Sequence, residues 1–307
     1  MKFERNLVTA MIGITLVTVT TGFSSSIPAT PGEPTQMVVT VLPASEGGLT
    51  PADLLVQQGH RRAPVVRLER LAGAFADMQL FILLDDSTRS SSLGIQLPQL
   101  KTFLESLPAT TQVAVGYMHN GTFALAQAFT PDHQKAAGAL RLPMAIPGGN
   151  ASPYFALSDL AKHWPSKEST DRRAVLMLTD GVDRYYGTAS FDDPYVDAAV
   201  HEALKDRVMV YSIYLRGAGS YGQSGEGTNI AQSRLLEVSE ETGGHAYFQA
   251  FSDPVTIAPF LSDFQDRLDN QYLVTIETPN GRGVQPVKVR TELTGLKIQA
   301  PTRIYLR

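Results

Sequence analysis

Cysteine is absent from the 307 residues. That excludes disulfides, thiol nucleophiles, iron–sulfur clusters and cysteine-based zinc sites together. The core must therefore hold by burial alone, which a chain of this length can manage. Charge is sparse: Asp, Glu, Lys and Arg make up 18% of the sequence, 26 basic against 30 acidic residues, for a net charge of −4. No basic tract stands out, which argues against nucleic acid as a partner. The six histidines, His60, His119, His133, His163, His201 and His245, are scattered without the spacing of a zinc hydrolase. Internal repeats are missing, and beyond the amino terminus no apolar run is long enough to cross a bilayer.

The amino terminus itself has the order of a secretory signal. Lys2 and Arg5 precede a threonine-diluted apolar run from Leu7 to Phe23, and small residues with Pro28 and Ala29 follow. This predicts a signal peptide over 1–29, cleaved near Ala29, with an uncleaved anchor as the alternative. The mature protein is then secreted or periplasmic, with no transmembrane segment left. Residues 30–36 read as a proline-rich linker. Residues 37–76 form an N-terminal β flank, 77–270 an α/β domain, and 271–307 a C-terminal β flank that pairs with 37–76. The particular pairing expected is 37–42 or 64–69 with 284–293 or 302–307, since alternating strands with open edges need partners.

Within 77–270, apolar runs alternate with helical stripes. MQLFILLD (78–85), RAVLMLTD (173–180) and VMVYSIYL (208–215) are continuous apolar runs, the pattern of strands buried on both faces. Leu93 to Leu107 carries an amphipathic stripe. His119-Asn120-Gly121 between two β-like runs signals a hairpin. The fold class expected is α/β: a doubly wound, mostly parallel sheet with helices on both faces, plus a small β element from the two flanks.

In such a fold, ligands sit beyond the carboxyl ends of the strands. Two of the runs end there in acids, Asp85-Asp86-Ser87-Thr88-Arg89-Ser90-Ser91 and Thr179-Asp180-Gly181-Val182-Asp183, and Pro147-Gly148-Gly149-Asn150-Ala151-Ser152 lies between them. Carboxylates and hydroxyls converging from three loops suit a hard divalent cation such as Mg²⁺.

The acid-ended strand with its serines, the Gly-Gly loop before a helix, and LMLTDGVD resemble a von Willebrand factor type A domain, over about 75–270. DGVDRYYG, PYVDAA, VYSIYLRGAG, EETGGHAYF and NQYLVTI resemble, more narrowly, the secreted type A-related proteins common in Acidobacteria. The resemblance implies a metal-ion-dependent adhesion site holding Mg²⁺, or Mn²⁺ or Ca²⁺. Asp85, Ser87 and Asp180 match that family's ligands, and Asn150 or Ser152 stands where its threonine belongs. Arg89 stands where its second serine belongs, so the site is degenerate. Arg89 either repels a metal or pairs with Asp85 and Asp180 in its place. A slip to Asp86-Thr88-Ser90 restores three oxygens. Loop-backbone bonding without any metal is the other reading.

The function these features imply is an exported, non-enzymatic adhesion-type module that binds a protein, with Arg89, Tyr185 and Tyr186 as contact residues. The rival is a secreted enzyme built on the Gly-rich 217–227 loop, either an oxidoreductase, since GAGSYG matches GxGxxG, or a serine hydrolase using Ser220 and His245. The match sits after a late strand rather than in the first βα turn, which disfavours the dinucleotide reading. No full acid, base and nucleophile set can be assembled. A purely structural envelope protein is the third possibility.

Overall fold

Every side chain of Met78–Asp85 is buried. Successive strand residues point to opposite faces, so a run this apolar demands cover on both sides. Leu80, Ile82 and Leu84 enter one hydrophobic cluster, and Phe81 and Leu83 enter a second. This is the centre of the protein. The computed structural model describes residues 34–43, 48–73, 76–149, 152–168, 170, 172–185, 193–278 and 281–307. The signal peptide expected over 1–29, Asn150 and Tyr186 lie outside these residues.

In chain order the strands are β1 (Pro34–Leu42), β2 (Leu54–Gln58), β3 (Arg61–Arg62), β4 (Val65–Arg70), β5 (Met78–Asp85), β6 (Thr111–His119), β7 (Thr122–Thr130), β8 (Arg173–Thr179), β9 (Val208–Tyr214), β10 (Ala246–Tyr247), β11 (Gln271–Glu277), β12 (Gly283–Thr291), β13 (Lys297–Gln299) and β14 (Arg303–Leu306). The helices are α1 (Ser90–Ser106), α2 (His133–Gly138), α3 (Pro153–Lys162), α4 (Pro194–Lys205), α5 (Gly219–Gly222), α6 (Gly225–Glu241) and α7 (Ala258–Asp269).

Six strands form the central sheet, in the order β10-β9-β8-β5-β6-β7. All its pairings are parallel except β6 with β7. That hairpin turns through Asn120 (φ 50°) and Gly121 (φ 79°), the two positive φ values that a tight two-residue turn of the right twist requires. Helices α1, α2 and α7 cover one face and α3, α4 and α6 the other. The fold is therefore the doubly wound α/β class expected. Phe81–Leu84, Val175–Leu178 and Val210–Ile213 all lie in its fully buried middle.

The remaining strands make two four-stranded antiparallel sheets, β13-β1-β11-β4 and β14-β12-β2-β3. Their apolar faces share a third cluster that includes Val39, Val56, Val274, Val287 and Ile304. The two flanks pair with each other, but the particular partners differ from those expected. β1 and β4 pair with β11, β1 also pairs with β13, and it is β2 that pairs with β12. Residues 34–36, expected in the linker, already belong to β1. β11, which follows α7 directly, lies between β1 and β4 and so takes the places expected for 284–293 and 302–307.

Arg172 ties the sandwich to the central sheet. Its guanidinium donates to the carbonyls of Leu268 (2.7 Å), Leu71 (3.2 Å) and Ala76 (3.2 Å) and to Gln271 Oε1 (3.0 Å). Among the described residues, no helix is long and apolar enough to cross a membrane.

Candidate functional site

Strand register brings the acids together. Leu84 pairs with Leu178, so Asp85 comes level with Thr179 and one residue short of Asp180. Each loop then folds by the same local device, an aspartate accepting from the backbone two residues on. Asp85 Oδ1 accepts from Ser87 N–H (2.9 Å), Asp180 Oδ1 from Val182 N–H (3.0 Å), and Asp183 Oδ1 from Tyr185 N–H (2.9 Å). Gly181 (φ 67°) makes the turn after Asp180, and a methyl there would lie 2.8 Å from Leu235. The glycine lets this loop lie directly on α6.

Asp85 is fully enclosed. Ser87 Oγ donates to its Oδ1 (2.8 Å) and Thr179 Oγ1 to its Oδ2 (2.9 Å). Burial, and next the charge of Asp180, push its pKa up to about 6, against the pull of those hydrogen bonds. Ser152 caps α3 by accepting from Tyr154 N–H (3.2 Å) and donates to Asp183 Oδ2 (2.7 Å).

The cation among these acids is Arg184. Its Nη2 lies 2.5 Å from Asp180 Oδ2 and its Nη1 donates to Asp180 Oδ1 at 3.4 Å. Burial lowers its pKa, but Asp180, Asp85 and Asp183 outweigh this and hold it above its ordinary value. Nothing in the spacing rules singled out Arg184. The available signal was its position four residues past Asp180, across a glycine turn.

Arg89 points elsewhere, which corrects the expectation that it meets Asp85 and Asp180. Its Nη2 donates to Asp253 Oδ2 (2.8 Å), which also accepts from Ser92 Oγ (2.8 Å), while Asp253 Oδ1 accepts from Arg216 N–H (2.7 Å). The residue opens α1, and its side chain leaves along the helix start toward the loop after β10. The slipped register does not converge either. Asp86 accepts from Arg141 Nη1 (2.6 Å) and Met144 N–H (3.0 Å), Thr88 Oγ1 donates to the Asp85 carbonyl (3.0 Å), and Ser90 begins α1. Tyr185 is 65% exposed and packs edge-on against Phe155 and Tyr195, at 5.2 and 5.7 Å between ring centres.

These donors do not fit the divalent cation that the resemblance implies. Both oxygens of Asp85 are engaged by the chain's own donors, and a guanidinium sits against Asp180. A second acidic group lies elsewhere: carboxylate oxygens of Asp197, Glu237 and Glu241 fall within 4.8 Å of one another and could take a cation. Arg303 already reaches two of them, at 3.2 Å to Asp197 and 3.0 Å to Glu241.

The Gly-rich segment is a tight lining of the site. A methyl on Gly217 would lie 2.8 Å from the Gly222 carbonyl and 3.1 Å from Asp180 Oδ2. Ser220 is exposed on α5, whereas His245 stacks edge-on with Tyr247 at 4.8 Å.

No family model matches the chain, and no curated protein matches it. Solved structures do. An aerotolerance-related membrane protein from Bacteroides fragilis is 15% identical, over 62% of this chain and 98% of that one, with a TM-score of 0.44. The conserved hypothetical protein BatB from Bacteroides thetaiotaomicron is 18% identical, over 62% and 96%, with a TM-score of 0.42. The SpRpn10 VWA domain is 14% identical, over 58% and 96%, with a TM-score of 0.38. The α/β class of this chain rests on its own strand order and its two buried sheet faces, independently of these likenesses.

Proposed function

We propose that the chain is a non-enzymatic, type A-like interaction module that docks a protein on the loops beyond its strand ends. One observation carries this reading. Of the twelve exposed large hydrophobics among the described residues, seven lie on those loops and an eighth, Tyr221, on the short helix α5 between them, with Met144 77%, Ile146 81% and Val255 79% exposed. Apolar side chains gathered on one face mark an interaction surface. The Leu142–Gly148 loop is also held in place by the chain's own hydrogen bonds. Asp86 holds the base of the Leu142–Ile146 segment through Arg141, Met144 N–H and Ala145 N–H, and Gly148 N–H donates to the Ser87 carbonyl (2.8 Å). A preordered apolar surface loses little entropy on binding.

The adhesion-type role and the extracytoplasmic location belong to this proposal, the location supported by the signal-like amino terminus. The test is site-specific photocrosslinking on the full chain. A probe at Ile146 or Val255 is expected to capture one and the same protein, and a probe at Leu293, exposed on the loop after β12, is expected to capture none. Capture from Leu293 alone would overturn the reading.

A further inference from the structure

We propose that the Arg184 guanidinium takes the electrostatic place of a divalent cation, so that the strand-end site is complete without metal. The inference goes beyond the docking proposal and needs no partner.

Three observations meet here. The first is the direct contact of Arg184 with both oxygens of Asp180, at 2.5 and 3.4 Å. The second is the state of the other acids. Asp85 accepts from Ser87 N–H, Ser87 Oγ and Thr179 Oγ1, and Asp183 accepts from Ser152 Oγ and Tyr185 N–H. The hydroxyls and carboxylates that would ligate a metal are thus bonded to one another. The third is a cradle of glycines. A methyl on Gly148 would lie 3.3 Å from Arg184 Nε, and one on Gly222 would lie 3.7 Å from Nη2. Gly148 thus leaves room for the guanidinium, and Gly222 stands in ordinary contact with it. A buried cluster of three acids needs a positive charge, and this chain supplies it from its own backbone turn. A resident cation at this point repels a second one across a partly dry cleft.

The experiment is Mn²⁺ titration by calorimetry, with thermal unfolding in Mn²⁺ or EDTA, on the full chain and on Arg184→Ser, Arg184→Lys and Arg184→Ser/Asp180→Asn. The wild type and Arg184→Lys are expected to show no saturable binding at this site, any binding by the Asp197–Glu237–Glu241 group being the same in every variant, and a melting temperature indifferent to EDTA. Arg184→Ser is expected to bind one Mn²⁺ saturably at this site, at least about tenfold more tightly than the weakest binding the wild-type titration would detect, and to gain melting temperature from it. Asp180→Asn is expected to erase that gain. Saturable micromolar Mn²⁺ binding by the wild type, unchanged in Arg184→Ser, overturns the proposal. So does a folded Arg184→Ser protein that gains no affinity. If Arg184→Ser is too unstable to titrate, Arg184→Gln, which keeps a neutral donor toward Asp180, takes its place under the same two criteria. Failure here leaves the crosslinking result untouched, so the two readings fall separately.

Discussion

Strand β8 has an arginine at each end, and the two are put to opposite uses. Arg172, just before the strand, is buried among carbonyls and the Gln271 amide. Arg184, just past the far end, lies among carboxylates. Burial acts on both in the same direction, because it penalises the charged form. Around Arg172 burial outweighs the raising influence of Tyr211 and Asp269, and its pKa falls to about 10. Around Arg184 the acids win and the pKa rises. One guanidinium is a mechanical brace that spends its donors on dipoles. The other is the positive member of a charged site. The difference lies in what the loops at each end of the sheet present to it.

The largest expected effect breaks the brace. Arg172→Ala leaves three carbonyls without their donor in a closed space, at about 1–3 kcal/mol each for groups that stay dry. We expect a loss of about 4 kcal/mol by urea unfolding, and a smaller loss for Arg172→Lys, whose single ammonium cannot span the same acceptors. A loss under about 1 kcal/mol would show that water replaces the guanidinium freely and that no brace exists.

The next effect probes the acidic end. Between about pH 4 and pH 6 the folded protein keeps the Asp85 proton that the unfolded chain has released. This contribution to stability is therefore fully present below about pH 4 and is lost as pH rises through about 6. A carboxyl raised from its ordinary value to about 6 contributes up to about 3 kcal/mol in this way. Asp85→Asn should remove the dependence, so that its stability relative to wild type improves by that amount from pH 4 to pH 7. Parallel pH profiles for the two proteins would contradict the assignment.

A smaller effect concerns the cradle. Gly148 has φ +75°, a conformation that costs an L-residue about 1–3 kcal/mol. Gly148→Ala should destabilise by about 1.5 kcal/mol in thermal unfolding. It should also press on Arg184, which an additional Arg184→Ser change would relieve. Simple additivity of the two substitutions would separate the glycine from the guanidinium.

The smallest effect sharpens the contrast by exposure. Arg303 pairs with Asp197 and Glu241 but is 38% exposed in its side chain. Arg303→Ala should cost under about 1 kcal/mol, and moderate salt should abolish the difference. Identical charges at an open and a closed position would then be seen to differ because of solvent alone.

Much of the α/β core is legible in the chain. The three apolar runs name β5, β8 and β9, since few other placements bury consecutive side chains on both faces. The hairpin at Asn120-Gly121 follows from the φ values those residues tolerate. The flanks were harder. Alternation marks a strand with one buried face but says nothing about its neighbour, and β11 took the partners expected for the later strands. At the site, the convergence of Asp85 and Asp180 is legible, because both end apolar runs. Arg89 misled because sequence spacing places a residue in a loop without telling where a long side chain turns. Asp253, far along the chain, draws it away.

By itself, then, the sequence determined the α/β class, the buried strands and the side of the sheet on which the acids gather. These depend on periodicity and on residue type, both local. Only the tertiary structure decided which arginine completes the site. A guanidinium reaches several ångströms from its own backbone, and its resting place depends on which loops close around it. Here that is the space beside Gly148, opposite Asp180.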